Sequence, residues 1–256
     1  MRLLGDDAGV THQQVSITDP DALAALFAAR RPEVVFNCAA YNAVDRAESE
    51  PERAGEVNST GPFNVAAACA DVGARLVHFS TNFVFDGALD RPYVESDVPS
   101  PLGAYARSKL DGERRVLETL PEALVIRTAA VFGGHRGQSF PEKILQRVRD
   151  GQPLRVVGDQ RVNPTFAKDL APAAVRLAAD GLHGLVHVVA AGCCGWDEYA
   201  TAVLAEFDVE ARVESVSTAD YAAPARRPLN GCLSSERVDP LRPWRAGLHD
   251  WVLSRQ

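Results

Sequence analysis

The sequence is short of the features that mark several protein classes. No apolar run approaches the ~18 residues needed to span a bilayer, and no basic-then-apolar leader precedes the first polar stretch. Membrane spanning and secretion are both disfavoured, and a cytoplasmic location is expected. The five cysteines (Cys38, Cys69, Cys193, Cys194 and Cys232) form no C-x-x-C pair and are odd in number, a pattern expected of reduced thiols. Adjacent Cys193 and Cys194 are expected on a strand-to-helix loop, without redox function. The six histidines show no H-E-x-x-H motif, so no metal site is expected. No basic run occurs, and 27 Lys and Arg against 34 Asp and Glu give a net charge of −7, which argues against a nucleic-acid partner.

With 256 residues, 46% of them hydrophobic, the chain can bury a large core without disulfides or structural metal. Apolar runs of strand length alternate with stretches of helical period, so the fold class expected is α/β: a doubly wound, mostly parallel sheet covered on both faces. The predicted strands are Val34 to Asn37, Leu76 to Ser80, Ala123 to Arg127 and Leu185 to Val189. Asp19 as N-cap and Pro20 at the first helical position open a helix that Arg31-Pro32 ends. An Ala-rich helix runs from Ala54 to Val72 and closes at Gly73. Further helices are predicted over Tyr105 to Leu120, Phe140 to Asp150, Lys168 to Ala179 and Trp196 to Phe207. Beyond residue 151 the elements shorten and Pro and Gly become more frequent. A division into residues 1–150, a dinucleotide-binding region, and 151–256, carrying a small substrate lobe and the last strands, is expected.

The chemistry concentrates in His78-Phe79-Ser80-Thr81-Asn82-Phe83-Val84-Phe85-Asp86-Gly87 and in Tyr105-Ala106-Arg107-Ser108-Lys109. Tyrosine and lysine four apart share one helix face. The ammonium can then stabilise a phenolate and lower the tyrosine pKa toward the range of a working acid or base. Thr81, with Ser80 beside it at the end of a strand, completes a hydrogen-bonding site for a carbonyl or alcohol oxygen. Alone, Y-x-x-x-K is a weak signal; after a strand ending in Ser-Thr within a βαβ pattern it is much stronger. Trp196, Trp244 and Trp251 read as packing residues, and Gly133, Gly134 and Gly137 as a loop.

These two segments, with Asn37-Cys38-Ala39-Ala40-Tyr41, Val44-Asp45-Arg46-Ala47-Glu48, Asp159-Gln160, Pro164-Thr165 and Arg226-Arg227-Pro228, resemble the extended short-chain dehydrogenase/reductases. Within that superfamily they are most similar to the dTDP-4-dehydrorhamnose reductase family. The resemblance implies a Rossmann-like fold and reduction of the C4 keto group of a dTDP-linked 6-deoxy sugar by NADPH or NADH. It makes Thr81, Tyr105 and Lys109 the catalytic residues. It places Ser16, Ile17, Cys38, Ala39, Ala40 and Tyr41, with Tyr105 and Lys109, along the cofactor. Thr81, Asn82, Phe83, Gln160 and Arg227 fall along the nucleotide sugar, with Arg227 suited to its diphosphate. Mg2+ assists some members, and no ligand set for it is legible here. A homodimer is the assembly the resemblance admits. Another nucleotide-sugar reductase or epimerase, and a non-catalytic binding homologue, are the competing readings.

Several positions depart from the family. The superfamily's G-x-x-G-x-x-G turn occurs nowhere, and Leu3-Leu4 before Gly5 and Gly9 reads as the last turn of the helix that should follow it. Truncation at the start is therefore expected, through a late start codon or a real loss of the cofactor's pyrophosphate site. Asn82-Phe83 replaces the usual Asp-Tyr, Ser16 an acidic residue, and Thr128-Ala129-Ala130-Val131-Phe132 lacks the customary tryptophan.

Overall fold

The computed structural model describes residues 15–134 and 139–255. The reading of Leu3 to Gly9, and of Gly137, lies outside them. Helix α1 (Pro20–Arg30) starts where expected: the Asp19 carboxylate accepts the Ala22 amide at 3.0 Å, and Arg31 ends the helix in the left-handed region. Strand β1 (Val34–Asn37) follows, then a 3-10 turn over Arg46–Glu48. The Ala-rich stretch forms α2 (Pro51–Gly55), a π-turn (Glu56–Thr60) and α3 (Gly61–Val72). Gly73 closes α3 at φ 73°, a conformation that favours glycine.

Strand β2 (Arg75–Thr81) and helix α4 (Ala104–Thr119) carry the two motif segments. They are followed by β3 (Leu124–Thr128), β4 (Val131–Phe132), α5 (Phe140–Arg149), β5 (Leu154–Val157), β6 (Arg161–Val162) and β7 (Thr165–Phe166). Next come α6 (Ala167–Ala179), β8 (Gly184–His187), β9 (Ala190–Ala191), β10 (Cys194–Gly195) and α7 (Trp196–Glu206). The last elements are β11 (Val213–Val216), α8 (Thr218–Tyr221), β12 (Leu241–Pro243) and α9 (Trp244–Leu253).

Among the described residues the main sheet has the order β1-β2-β3-β8, every pair parallel. Side chains alternate between its faces. Leu76 and Val125 pack with Leu23, Phe27, Val65, Cys69 and Val116 of α1, α3 and α4 on one side. Val77, Leu124, Ile126 and Val186 pack with Leu170, Ala173 and Ala174 of α6 on the other. Helices on both faces make this the doubly wound, Rossmann-like α/β architecture. A further core gathers Phe132, Phe166, Tyr199, Trp244 and Trp251 around α7 and α9.

One expectation is overturned here. Cys193 and Cys232 form a disulfide, whereas Cys38, Cys69 and Cys194 are free. The segment carrying Cys232 is tied down by its carbonyl, which accepts the Tyr93 amide at 2.8 Å. The Leu233 amide donates to Asn163 Oδ1 at 2.7 Å. That brings Cys232 within a Cα–Cα distance of 6.1 Å of Cys193, 39 residues away. Tertiary docking makes the pair, so sequence spacing carried no sign of it. Among the described residues no helix is long and apolar enough to cross a membrane.

Candidate active site

The carboxyl ends of β1, β2 and β3 open into a cleft of about 690 Å³, the position at which open α/β sheets take ligands. Thr81, Asn82, Phe83, Tyr105 and Lys109 all line it, and so do Cys38, Ala39 and Ala40 beyond β1. The two alanines are half-buried, so their small side chains shape the wall of the cleft without filling it.

Thr81 is the last residue of the central strand β2, and its hydroxyl accepts the Phe83 amide at 3.2 Å, capping a 3-10 turn over Asn82–Val84. The Asn82 amide nitrogen donates to the Gly231 carbonyl at 2.8 Å, tying that turn to the C-terminal part of the chain. Tyr105 lies in the first turn of α4, and Phe83 meets its ring edge-on, with centroids 6.0 Å apart. The helix start is held from below, because the Ala104 amide donates to Glu48 Oε1 at 2.7 Å. Asn58, buried within the π-turn, accepts the Tyr41 amide at 2.8 Å and donates to the Tyr41 carbonyl and the Ser108 hydroxyl at 3.0 Å each. Gly112 on α4 is obligatory in this arrangement, since a Cβ there would collide with the Asn58 carbonyl oxygen.

Lys109 is buried, and its ammonium donates to the Phe79 carbonyl at 2.7 Å. Burial lowers its pKa to about 8, against an opposing pull from Glu113. Burial raises the Tyr105 phenol to about 12, countered in part by the neighbouring Thr81 hydroxyl, which itself donates to Asn82 Oδ1 at 3.3 Å. The expected depression of the phenol by Lys109 is therefore corrected: the ammonium is engaged by a backbone carbonyl of β2, and desolvation dominates at the ring. Burial, with the Lys109 charge, also holds the His78 imidazole well below its usual range. The Ser80 and Thr128 hydroxyls line the cleft, are buried, and find no partner among the described residues.

Five expected site residues are not among those lining the cleft, although Tyr41 stands between Ala40 and Asn42, which are. Ser16 is exposed and its hydroxyl bonds Thr18, and Ile17 is core, packed against Gly61. The Tyr41 hydroxyl donates to Glu50 at 2.9 Å. The Gln160 amide donates to the Thr218 hydroxyl at 3.0 Å. Arg227 makes a two-pronged pair with Asp45, both contacts at 2.9 Å, which occupies the fork expected for a diphosphate. Conversely, the cleft recruits residues the sequence did not single out as ligands, among them Asn42, Val131, Glu142 and Trp196. Trp196 does pack as expected, with its ring 4.7 Å from Phe140, yet it also faces the cleft. Glu142 was visible only as the last member of Ser139-x-x-Glu142, and it completes that capping box at the start of α5. Trp244 and Trp251 are core.

A small-residue wall, two unpartnered buried hydroxyls, and a buried lysine in the same cleft as Thr81 and Tyr105 fit the nicotinamide end of a dinucleotide. Among the described residues no three His, Cys, Asp or Glu side chains converge into a metal-ligand set. Fold and site together define an oxidoreductase of the short-chain dehydrogenase/reductase type. The chain belongs to the family described as the RmlD substrate binding domain, which matches residues 5–255. It is 44% identical to the dTDP-4-dehydrorhamnose reductase of Mycobacterium tuberculosis over 255 residues, 95% of this chain and 83% of that protein. It is 37% identical to a probable dTDP-4,6-dihydroxy-2-methyloxan-3-one 4-ketoreductase of Streptomyces antibioticus, over 96% of this chain and 85% of that one. The crystal structure of the Bacillus anthracis dTDP-4-dehydrorhamnose reductase in complex with NADP superposes with a TM-score of 0.90. It is 31% identical and covers 93% of this chain, with 86% of its own chain matched.

Proposed function

We propose that this protein reduces the C4 keto group of dTDP-4-dehydrorhamnose, yielding dTDP-L-rhamnose, with NADPH as reductant. The observation that carries the reading is that Thr81, Tyr105 and the buried Lys109 line one cleft at the carboxyl end of β2. When bound, NADPH supplies the hydride for C4. Tyr105 gives its phenolic proton to the C4 oxygen, and Thr81 holds that oxygen in line. Lys109 anchors the nicotinamide ribose. Cys38, Ala39 and Ala40 border the dinucleotide, with Ser80 and Thr128 offering hydroxyls to it. Asn82 and Phe83 flank the sugar.

A second substrate is favoured by Asn82 and Val131, which stand where the family usually carries aspartate and near its customary tryptophan. With the Streptomyces relative, they support a related dTDP-linked 4-keto sugar. Incubating the purified protein with NADPH and each keto sugar, and following nucleotide oxidation with NMR of the product, tests both readings. Absence of turnover with either sugar would sink the assignment. A cytoplasmic location and a homodimer come with the reading as family expectations, and sedimentation of the purified chain tests the assembly.

A further inference from the structure

Behind the Lys109 ammonium lies a row of buried charges that the proposed chemistry does not use. Glu113 follows Lys109 by one helical turn on α4, so the two side chains share a face. Glu113 and Arg127 of β3 are both almost fully buried, with side chains 3% and 2% exposed. The guanidinium grips the carboxylate with two hydrogen bonds, Nε to Oε1 at 2.9 Å and one terminal nitrogen to Oε2 at 2.6 Å. Its other terminal nitrogen reaches His187 Nε2 at 3.5 Å, and its plane lies over the Phe85 ring at 5.1 Å. A buried ion pair is a poor device for stability, because desolvating both ions offsets most of their attraction. This one stands one helical turn from a buried lysine whose charge the site needs.

We propose that Glu113, oriented by Arg127, is a positioning residue that keeps the Lys109 ammonium charged in the cleft. The inference rests on the reductase reading of that site. A lysine taken out of water loses its proton readily unless an anion stands near. The other titratable groups around Lys109 cannot serve. Tyr105 on its own helix is a neutral phenol. His78 on β2 is held uncharged by burial and by Lys109 itself. Cys38 beyond β1 is a thiol whose pKa burial raises. Glu142 sits on α5, not on the Lys109 face of α4, and bonds Arg255 and Ser139. Glu113 is the carboxylate left to oppose the desolvation of Lys109, and Arg127 sets both its direction and how much of its charge Lys109 feels.

The test uses Glu113→Gln, Arg127→Met and the double variant, each checked for folding by circular dichroism. Sugar reduction and NADPH affinity by fluorescence are followed from about pH 6 to about pH 10. In Glu113→Gln the alkaline fall of kcat/KM and of NADPH affinity begins about one pH unit earlier than in the wild type, a roughly tenfold loss in that window, with little change near pH 6. Arg127→Met, which unmasks the carboxylate, moves the fall the other way. The double variant removes both buried charges, so it folds if either single variant does not, and it follows Glu113→Gln. Folded variants whose profiles superpose on the wild type, or which lose activity equally at every pH, would overturn the proposal. A wild type that reduces neither sugar defeats the reductase reading instead, while the pH dependence of NADPH affinity still decides the role of Glu113.

Discussion

The two walls of the cleft are built on different physical terms. The wall from β2 and α4 is polar and deeply buried, and it is cross-tied: Thr81 caps its own turn, Lys109 bonds the β2 backbone, and Glu48 and Asn58 pin the start of α4. The facing wall, from Val131, Phe132 and Trp196, is largely apolar, and Val131 stands 43% exposed. A polar group held by several bonds has one position and suits chemistry. An apolar surface grips by area and tolerates variation in what it touches. The first wall should therefore govern kcat, and the second KM.

Substitutions on each wall sharpen or break that division. Tyr105→Phe should lower kcat by about 10²- to 10⁴-fold, the range for loss of a general acid, and leave NADPH affinity nearly unchanged by fluorescence titration. Retained turnover would end the assignment of the polar wall. Thr81→Val removes one hydrogen bond to the reacting oxygen and should cost about 10- to 100-fold in kcat, with Thr81→Ser recovering most of it. Trp196→Ala should raise the sugar KM by about tenfold with kcat within about twofold, which steady-state kinetics separates. A fall in kcat as large as that of Thr81→Val would mean the walls do not divide the labour.

The smallest effect concerns stability. The imidazoles of His78 and His187 are held below the ordinary value of 6.5, first by desolvation. The unfolded chain therefore takes up protons that the native protein refuses as the pH falls below 6.5. Their contribution is present above that value and is lost beneath it. Urea titrations across this range should show a declining midpoint, and His78→Asn should flatten the decline. An unchanged slope would show that the polar wall is less dry than its burial indicates.

The polar wall was legible in the sequence because its chemistry sits in two short segments of fixed internal spacing, and the strand and helix that carry them form locally. The apolar wall was not, because Val131, Phe132 and Trp196 meet only after α7 docks. The Asp45–Arg227 and Glu113–Arg127 pairs make the same point. An arginine advertises its charge in the sequence, and its partner is decided by topology. Arg227 was expected along a diphosphate, and its fork pairs with Asp45. Arg127 looked like one more strand residue and grips Glu113, one helical turn from Lys109. The Cys193–Cys232 link was hidden for the same reason.

Asn58 gives the molecule a property that belongs to motion. Its single side chain bonds the loop that carries Cys38 to Tyr41 and the helix that carries Tyr105 and Lys109. Neither lip of the cleft can swing away without breaking bonds to the other. Opening is thereby coupled, and the amides of Tyr41 and of the first turns of α4 should exchange their hydrogens as one unit. A ligand that quiets either lip quiets both.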